Sequence, residues 1–437
     1  MKIIYALYNA AYVILFIVFI PLFIYRRLFK GKYRRGIKDR FGKPPAEKLP
    51  SRDAKLTIWI HAVSVGETAA AAPVADKIME KYPQCNLIFS TTTDTGQNMA
   101  QKIIKGADAI VYFPLDFSFS VKGALDRIDP DVVILTETEL WPNFIRISHK
   151  RSIKLMLING RISDDSFRGY KLIKPFMKRV LKKVDCFSMQ SEKDKKHILQ
   201  LGAIQERVFN SGNTKFDMDE FQVTSEDRRK MEKEFNPGDK FPVIVAGSTH
   251  PDEEEQFLST FKSIKEEFDG ARLILAPRHI KRTEDIASLY EEAGFSTVRR
   301  TDMNGNVSSD FEVILLDTIG ELAEIYSIGD LVFVGGSLVN KGGHNILEPA
   351  MQGKMVFFGP HMQNFRANVE LVKNYEVGIQ VENSEQLTRK MLYYLRNRDE
   401  LHEKGRKARK MVEENRGAAL ENAELLAELL QEDQGRI

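Results

Sequence analysis

The loops that follow the β-branched runs of this chain carry most of its reactive side chains. After 56–60 comes His61-Ala62-Val63-Ser64-Val65-Gly66-Glu67-Thr68, a turn of small residues that delivers one carboxylate to the start of a helix. Glu67 can take a proton from a hydroxyl as a general base, although the helix dipole also favours a glutamate in a first turn. The loop after 131–136 reads Glu137-Thr138-Glu139-Leu140-Trp141-Pro142-Asn143. Two acids beside a Trp-Pro pair fit a pocket wall, an N-cap or a partner for an arginine. Asn159-Gly160-Arg161 ends another run, and Ser211-Gly212-Asn213-Thr214-Lys215-Phe216 closes the first half. Lys215 there either reaches an anion or lies on the surface.

The second half carries a different chemistry. Gly247-Ser248-Thr249-His250 follows a strand-like run and precedes the acids of 252–255; backbone amides of such a turn at a helix N-terminus can hold a phosphate. Pro277-Arg278-His279 presents a guanidinium suited to two-pronged binding of a phosphate or a base edge. Asp317-Thr318-Ile319-Gly320-Glu321-Leu322 follows 313–316. The most specific run is Gly335-Gly336-Ser337-Leu338-Val339-Asn340-Lys341-Gly342-Gly343-His344-Asn345-Ile346-Leu347-Glu348-Pro349. Its glycines allow a backbone to approach a ligand closely, Asn345 can open a helix, and Glu348, one turn in, can accept both hydroxyls of a ribose. A sugar-nucleotide site here assigns the acceptor to the first half. Glu139, Ser248 and His250 stay open between pocket lining and helix capping.

The elements that position these loops read as an α/β protein. Short β-branched or aromatic runs alternate with segments of helical period, the pattern of βα units around parallel sheets. Six strands are expected in each half: 56–60, 86–90, 109–113, 131–136, 153–158 and 186–189, then 242–246, 272–276, 313–316, 331–334, 355–358 and 377–381. A chain of 437 residues is too long for one core. The expected division is an anchor helix at 1–25, a basic segment at 26–50, a Rossmann-like acceptor domain at 51–216 and a charged linker at 217–240 with an Asn236-Pro237-Gly238 turn. A Rossmann-like nucleotide-binding domain follows at 241–410, then a terminal helix at 411–437. Two αβα domains would face across a cleft, with ligands outside the carboxyl ends of the strands.

Between Ile3 and Ile24 no side chain is charged, a run long enough to cross a bilayer. Arg26, Arg27, Lys30, Lys32, Arg34, Arg35, Lys38 and Arg40 follow, so the positive-inside rule puts everything after them on the cytoplasmic side. A cleavable signal peptide is disfavoured, because the run is long and its basic flank lies on the wrong side. Pro21 leaves open whether the helix spans or embeds in one leaflet. Phe117, Phe119, Phe167 and Tyr170 could form an entrance for acyl chains. The chain as a whole, 43% hydrophobic and 29% charged, fits neither disorder nor a polytopic membrane protein. A net charge of +3 does not favour nucleic-acid binding. Cys85 and Cys186 have no zinc-like spacing and imply a reduced compartment; no metal site can be read.

Taken in order and spacing, the apolar anchor, Gly66-Glu67, Glu137 to Pro142, Gly212 to Phe216, Pro277-Arg278-His279 and Gly342 to Pro349 make the chain resemble the bacterial 3-deoxy-D-manno-octulosonic acid (Kdo) transferases, lipid A-specific enzymes of the GT-B glycosyltransferase class. The resemblance implies transfer of Kdo from CMP-Kdo to the lipid A precursor, with inversion, at the inner membrane and without an obligatory metal or cofactor. It assigns Glu67 as the base, with Glu137 and Lys215 supporting the transition state. It assigns Pro277, Arg278, Ile319, Gly320, Glu321, Asn345, Ile346, Leu347 and Glu348 to the donor nucleotide. Two other readings remain: a GT-B enzyme using a UDP-sugar on another membrane lipid, and a membrane-tethered scaffold of transferase ancestry. Intact Glu67, Arg278 and Glu348 count against the scaffold.

Overall fold

The computed structural model describes residues 2–29, 35–51, 56–218, 223–236, 238–303 and 311–431. The chain forms two compact units, Met1–Met218 with Asn415–Ile437, and Asp219–Glu414. Of the expected features, Lys30, Lys32, Arg34, part of the charged linker and Pro237 lie outside the described residues.

The first unit is built on β1 (Thr57–His61), β2 (Asn86–Thr91), β3 (Ala109–Tyr112), β4 (Val132–Thr136), β5 (Lys154–Gly160), β6 (Cys186–Met189) and β7 (Val208–Asn210). All pair in parallel, in the order β3-β2-β1-β4-β5-β6-β7. The second holds β8 (Val243–Thr249), β9 (Arg272–Pro277), β10 (Thr297–Arg299), β11 (Val313–Leu315), β12 (Leu331–Val334), β13 (Val356–Phe358) and β14 (Gly378–Gln380). Its order is β10-β11-β9-β8-β12-β13-β14, again parallel. Winding reverses between β1 and β4 in one sheet and between β8 and β12 in the other. Such a reversal opens a crevice at the carboxyl ends of the strands.

The central strands are buried on both faces, as helix-covered parallel sheets require. Trp59 packs on Phe144 and Phe113 beneath one face of the first sheet, while Ile58, Ile60, Val132 and Ile134 fill the other. That second face also receives Ala419, Ala423 and Leu426 of the helix Ala418–Gln431. The terminal helix expected as a separate element therefore completes the first core. Asp217 fixes its start, its carboxylate accepting the amides of Gly417 at 2.7 Å and Ala419 at 2.8 Å.

The basic segment expected at 26–50 is likewise partly built into the first unit. Asp39 and Arg40 are buried; Asp39 accepts the Tyr112 amide, and the Arg40 guanidinium lies 4.5 Å from the Tyr112 ring centre while donating to the Thr92 carbonyl. Gly36 has φ +66, and a Cβ there would fall 1.8 Å from the Tyr112 ring, so only glycine allows this close approach.

The helix Lys2–Phe29 is long and apolar enough to cross a membrane. It also has a sidedness that hydropathy did not reveal. Tyr8 donates to the buried Asp116 carboxylate at 2.7 Å, Asn9 accepts from the Asn143 side-chain amide at 2.6 Å, and the Tyr12 hydroxyl accepts the Asp116 amide at 3.2 Å. Tyr5 is buried against Phe176, and Phe16 meets Phe117 edge-on. These positions recur at helical spacing, so one stripe docks on the first unit. Leu7, Ile14, Leu15, Ile17 and Val18 are exposed elsewhere on the helix.

Candidate active site

Glu67 stands in the first turn of the helix Val65–Lys81, whose N-cap is Ser64. The Glu67 amide donates to Ser64 Oγ, and its carboxylate accepts from the Val63 amide at 2.6 Å and from the Ser64 hydroxyl at 3.3 Å. It is thus both a helix-start acid and a group at the carboxyl end of β1, so the two sequence readings describe one side chain. Burial pushes its pKa up to about 7; the Val63 amide works against this, and the Glu137 and Glu139 carboxylates add to it.

β4, the neighbour of β1, delivers those two acids. Glu137 follows its last residue with φ +58, a left-handed backbone that non-glycine residues adopt only where the surroundings impose it. Its amide donates to the Ile158 carbonyl, and its carboxylate meets Lys215 Nζ at 3.3 Å. Lys215 comes from the single turn Thr214–Asp217. Thr214 ties that turn down by donating its amide to Asn159 and its hydroxyl to the Ala70 carbonyl, and Asp217 holds the returning terminal helix. Residues far apart in sequence are therefore brought to one strand edge, with Glu67, Glu137 and Lys215 all in the first unit.

Glu139 sits behind them. Trp141 Nε1 donates to its carboxylate at 2.7 Å, and burial, with Glu137 adding, raises its pKa to about 7. His61 lies 3.9 Å from it, stacked 3.6 Å from the Phe113 ring centre and held by Ser90; burial lowers the imidazole to about 3, so it is neutral. Glu139 and His61 thus face each other at the carboxyl end of the first sheet, and neither caps a helix. The aromatics expected as an acyl entrance divide: Phe117 packs on the N-terminal helix and Phe167 stacks on His197, whereas Phe119 is 62% exposed.

In the second unit, Pro277 ends β9 and Arg278 follows it, exposed, with its amide on the Thr249 carbonyl. The Asn345 side-chain amide donates to Glu348 at 3.2 Å, and its carbonyl oxygen accepts the Leu347 amide and the Asn368 side chain. Burial lifts Glu348 to about 7, opposed by Asn345 and by the nearby Arg278. Ile346 and Leu347 are core residues, so their side chains are not available to a ligand. Glu321 is already engaged by Arg300 at 3.1 Å and by Thr318 at 2.8 Å, while Ile319 is 87% exposed and Gly320 has φ +106. This loop offers backbone and an apolar side chain more readily than a free acid.

A residue that sequence reasoning passed over organises the glycine-rich loop. Glu253, read only as part of an acidic helix start, is buried and accepts the amides of His250 (3.0 Å), Gly336 (2.6 Å), Ser337 (2.9 Å) and Leu338 (2.9 Å). Amides that the sequence offered to a phosphate are thus partly taken by the protein's own carboxylate. The exposed Arg278 guanidinium is a cation that stands nearby. His250 and His344, stacked with Nε2 atoms 2.9 Å apart, lie beside it; both imidazoles are lowered, His344 to about 4 by burial and then by Arg278.

Residues 35–218 match the model of a family described as 3-deoxy-D-manno-octulosonic-acid transferase (kdotransferase). The chain is 31% identical over 404 residues to a 3-deoxy-D-manno-octulosonic acid transferase of Haemophilus influenzae, covering 92% of each. It is 37% identical over 373 residues to a bifunctional glycosyltransferase/methyltransferase of Fusobacterium nucleatum, spanning 85% of this chain but only 57% of that protein. Among solved structures, UDP-GlcNAc 2-epimerase of Neisseria meningitidis matches with TM-score 0.59 at 11% identity, over 86% of this chain and all of that one. A glycosyltransferase of Rickettsia africae matches with TM-score 0.56 at 16% identity, over 86% and 99%. The last two establish the fold, two parallel-sheet domains of the GT-B type.

Proposed function

Because the chain belongs to the 3-deoxy-D-manno-octulosonic acid transferase family, we propose that it moves Kdo from CMP-Kdo to a lipid A precursor with inversion, at the cytoplasmic face of the inner membrane, without a resident metal or cofactor. It is a glycosyltransferase. The observation that carries the reading is the raised, part-buried Glu67 carboxylate beside the Lys215–Glu137 pair at the winding reversal of the first sheet.

Glu67 accepts the proton of the attacking acceptor hydroxyl, a role suited to a group poised near neutral pH. The Lys215 ammonium, oriented by Glu137, stabilises charge that develops as the bonds exchange. In the second unit Arg278 takes the donor phosphate, and Glu348 with Asn345 takes the ribose hydroxyls. CMP departs as a stable phosphate anion and needs no proton, so one base suffices. Holding donor and acceptor in line supplies much of the remaining acceleration.

The test is transfer by purified full-length protein in detergent, with CMP-Kdo and a tetraacylated lipid A precursor, products being resolved by mass. Addition of one or more Kdo units supports the reading. No product from folded protein that binds CMP removes the acceptor, and no CMP binding removes the donor.

The docked stripe bears on membrane attachment. The hydrogen bond that Tyr8 donates and the one that Asn9 accepts hold the first turns of the N-terminal helix against the catalytic unit. If that unit is cytoplasmic, those turns are too, which favours a helix lying in one leaflet with its exposed apolar residues in lipid. Asp116 is the keystone, accepting Tyr8 together with the amides of Asn143 and Phe144. Asp116→Ala is expected to lower stability by about 2–4 kcal/mol by stranding buried donors. An unchanged thermal midpoint in detergent would show that the docking contributes nothing.

A further inference from the structure

The amino ends of the second sheet enclose a cavity that the reaction does not use. It occupies about 440 Å³ and is lined by Arg228, Lys354, Arg398, Arg406 and Arg409, with Asp330 the single carboxylate among its walls. Phe241, Asp330 and Lys354 lie within two residues before β8, β12 and β13, whereas the glycine-rich loop and Arg278 follow the carboxyl ends of β12 and β9. β8 alone, seven residues long, separates the two edges by roughly 20 Å at the usual strand rise. The cavity is therefore distinct from the candidate donor site.

Its positive charge is only partly balanced by the protein, through Asp330, which attracts Lys354, Arg398 and Arg228. The Asp330 carboxylate accepts the Val243 amide at 2.8 Å. Arg228 is paired with Glu232, and Arg398 lies 4.3 Å from the centre of the Phe241 ring. Among the described residues no carboxylate forms an ion pair with Lys354, Arg398, Arg406 or Arg409. Burial, with Arg228 adding, lowers the Lys354 ammonium to about 8. Two glycines let the helix Arg398–Asn415 close over the cavity: a Cβ on Gly353 would meet Arg409 Nε at 2.6 Å, and one on Gly405 would meet the Gly353 carbonyl oxygen at 2.9 Å. Five cations around one concavity with a single wall carboxylate leave an excess of positive charge that attracts an anion. Guanidinium forks match phosphate oxygens in pairs, and the volume is that of a small-molecule site.

We propose that this cavity binds a soluble polyphosphate anion, with Arg398, Arg406, Arg409 and Lys354 holding its phosphates. A nucleoside triphosphate and inorganic polyphosphate share this chemistry. The test is calorimetric titration of the full-length protein in detergent with inorganic tripolyphosphate and, separately, ATP. Arg406 and Arg409 are exposed, so Arg406→Ala/Arg409→Ala should fold and transfer normally. It should weaken binding of either probe at least tenfold, with partial recovery in Arg406→Lys/Arg409→Lys, while Arg278→Ala leaves binding unchanged. Tighter binding of ATP than of tripolyphosphate identifies a nucleotide site, and equal binding a site for the phosphates alone; both support the proposal. Two results overturn it: no heat of binding with wild-type protein, or binding that survives the Arg406/Arg409 substitution and disappears with Arg278→Ala.

Discussion

Glu67→Gln is expected to reduce transfer by about a hundred- to ten-thousandfold, the usual contribution of a general base, with CMP binding preserved. Glutamine is the informative replacement because the Glu67 carboxylate also accepts the Val63 amide; an amide oxygen can keep that bond, whereas alanine removes the cap along with the base. The pH dependence follows from the raised pKa. Only ionised Glu67 can accept a proton, so kcat/KM should climb as pH rises through about 7 and level off above it. That limb should vanish in the residual activity of Glu67→Gln. The measurement is a pH–rate profile with CMP-Kdo and the lipid acceptor. Near-normal rates from folded mutant protein would reassign the base, with Glu139, also raised to about 7, the next carboxylate to replace.

Glu67 was legible because its signal is local, a strand, a small-residue turn and one acid at a helix start. The same holds for the six longer or better buried strands in each sheet. β7 and β10 were missed for a physical reason: each is an edge strand of three residues, and Thr297, Val298 and Arg299 are all only half-buried, so neither alternation nor an apolar run marks them. The terminal helix was recognised, but an apolar stripe of Ala419, Ala423 and Leu426 does not say which core it fills; Asp217 decides that through space. Asn9 is a polar residue inside the apolar run, and only the fold supplies its reason by placing Asn143 opposite it. Lys215 was ambiguous for a related reason, since only the fold brings Glu137 to it.

Glu253 is the extreme case of a long-range role, and its replacement should have the largest effect on stability. Its carboxylate gathers four backbone amides, three of them from a loop over eighty residues away. A buried amide left unpaired costs about 1–3 kcal/mol, and water entering the space left by Glu253→Ala would recover part of it, so a loss of about 3–5 kcal/mol is expected by denaturant titration. Glu253→Gln should fare little better, because one side of its amide turns a donor toward amides that are donors themselves. Glu255→Gln, two residues on and exposed, is the control and should stay within about 0.5 kcal/mol of wild type. The damage should extend to CMP binding. Gly336, Ser337 and Leu338 lead directly into the run that carries His344, Asn345 and Glu348, and without Glu253 their amides lose their acceptor, leaving the loop's first residues to the Ser337 hydroxyl, which donates to the Val334 carbonyl and accepts the Gly359 amide, and to backbone bonds of Gly335 with Gly247 and of His361 with Ser337. Full stability with weakened CMP binding would assign Glu253 to the ligand; loss of both together, as expected, makes it the residue that shapes the loop before any ligand arrives.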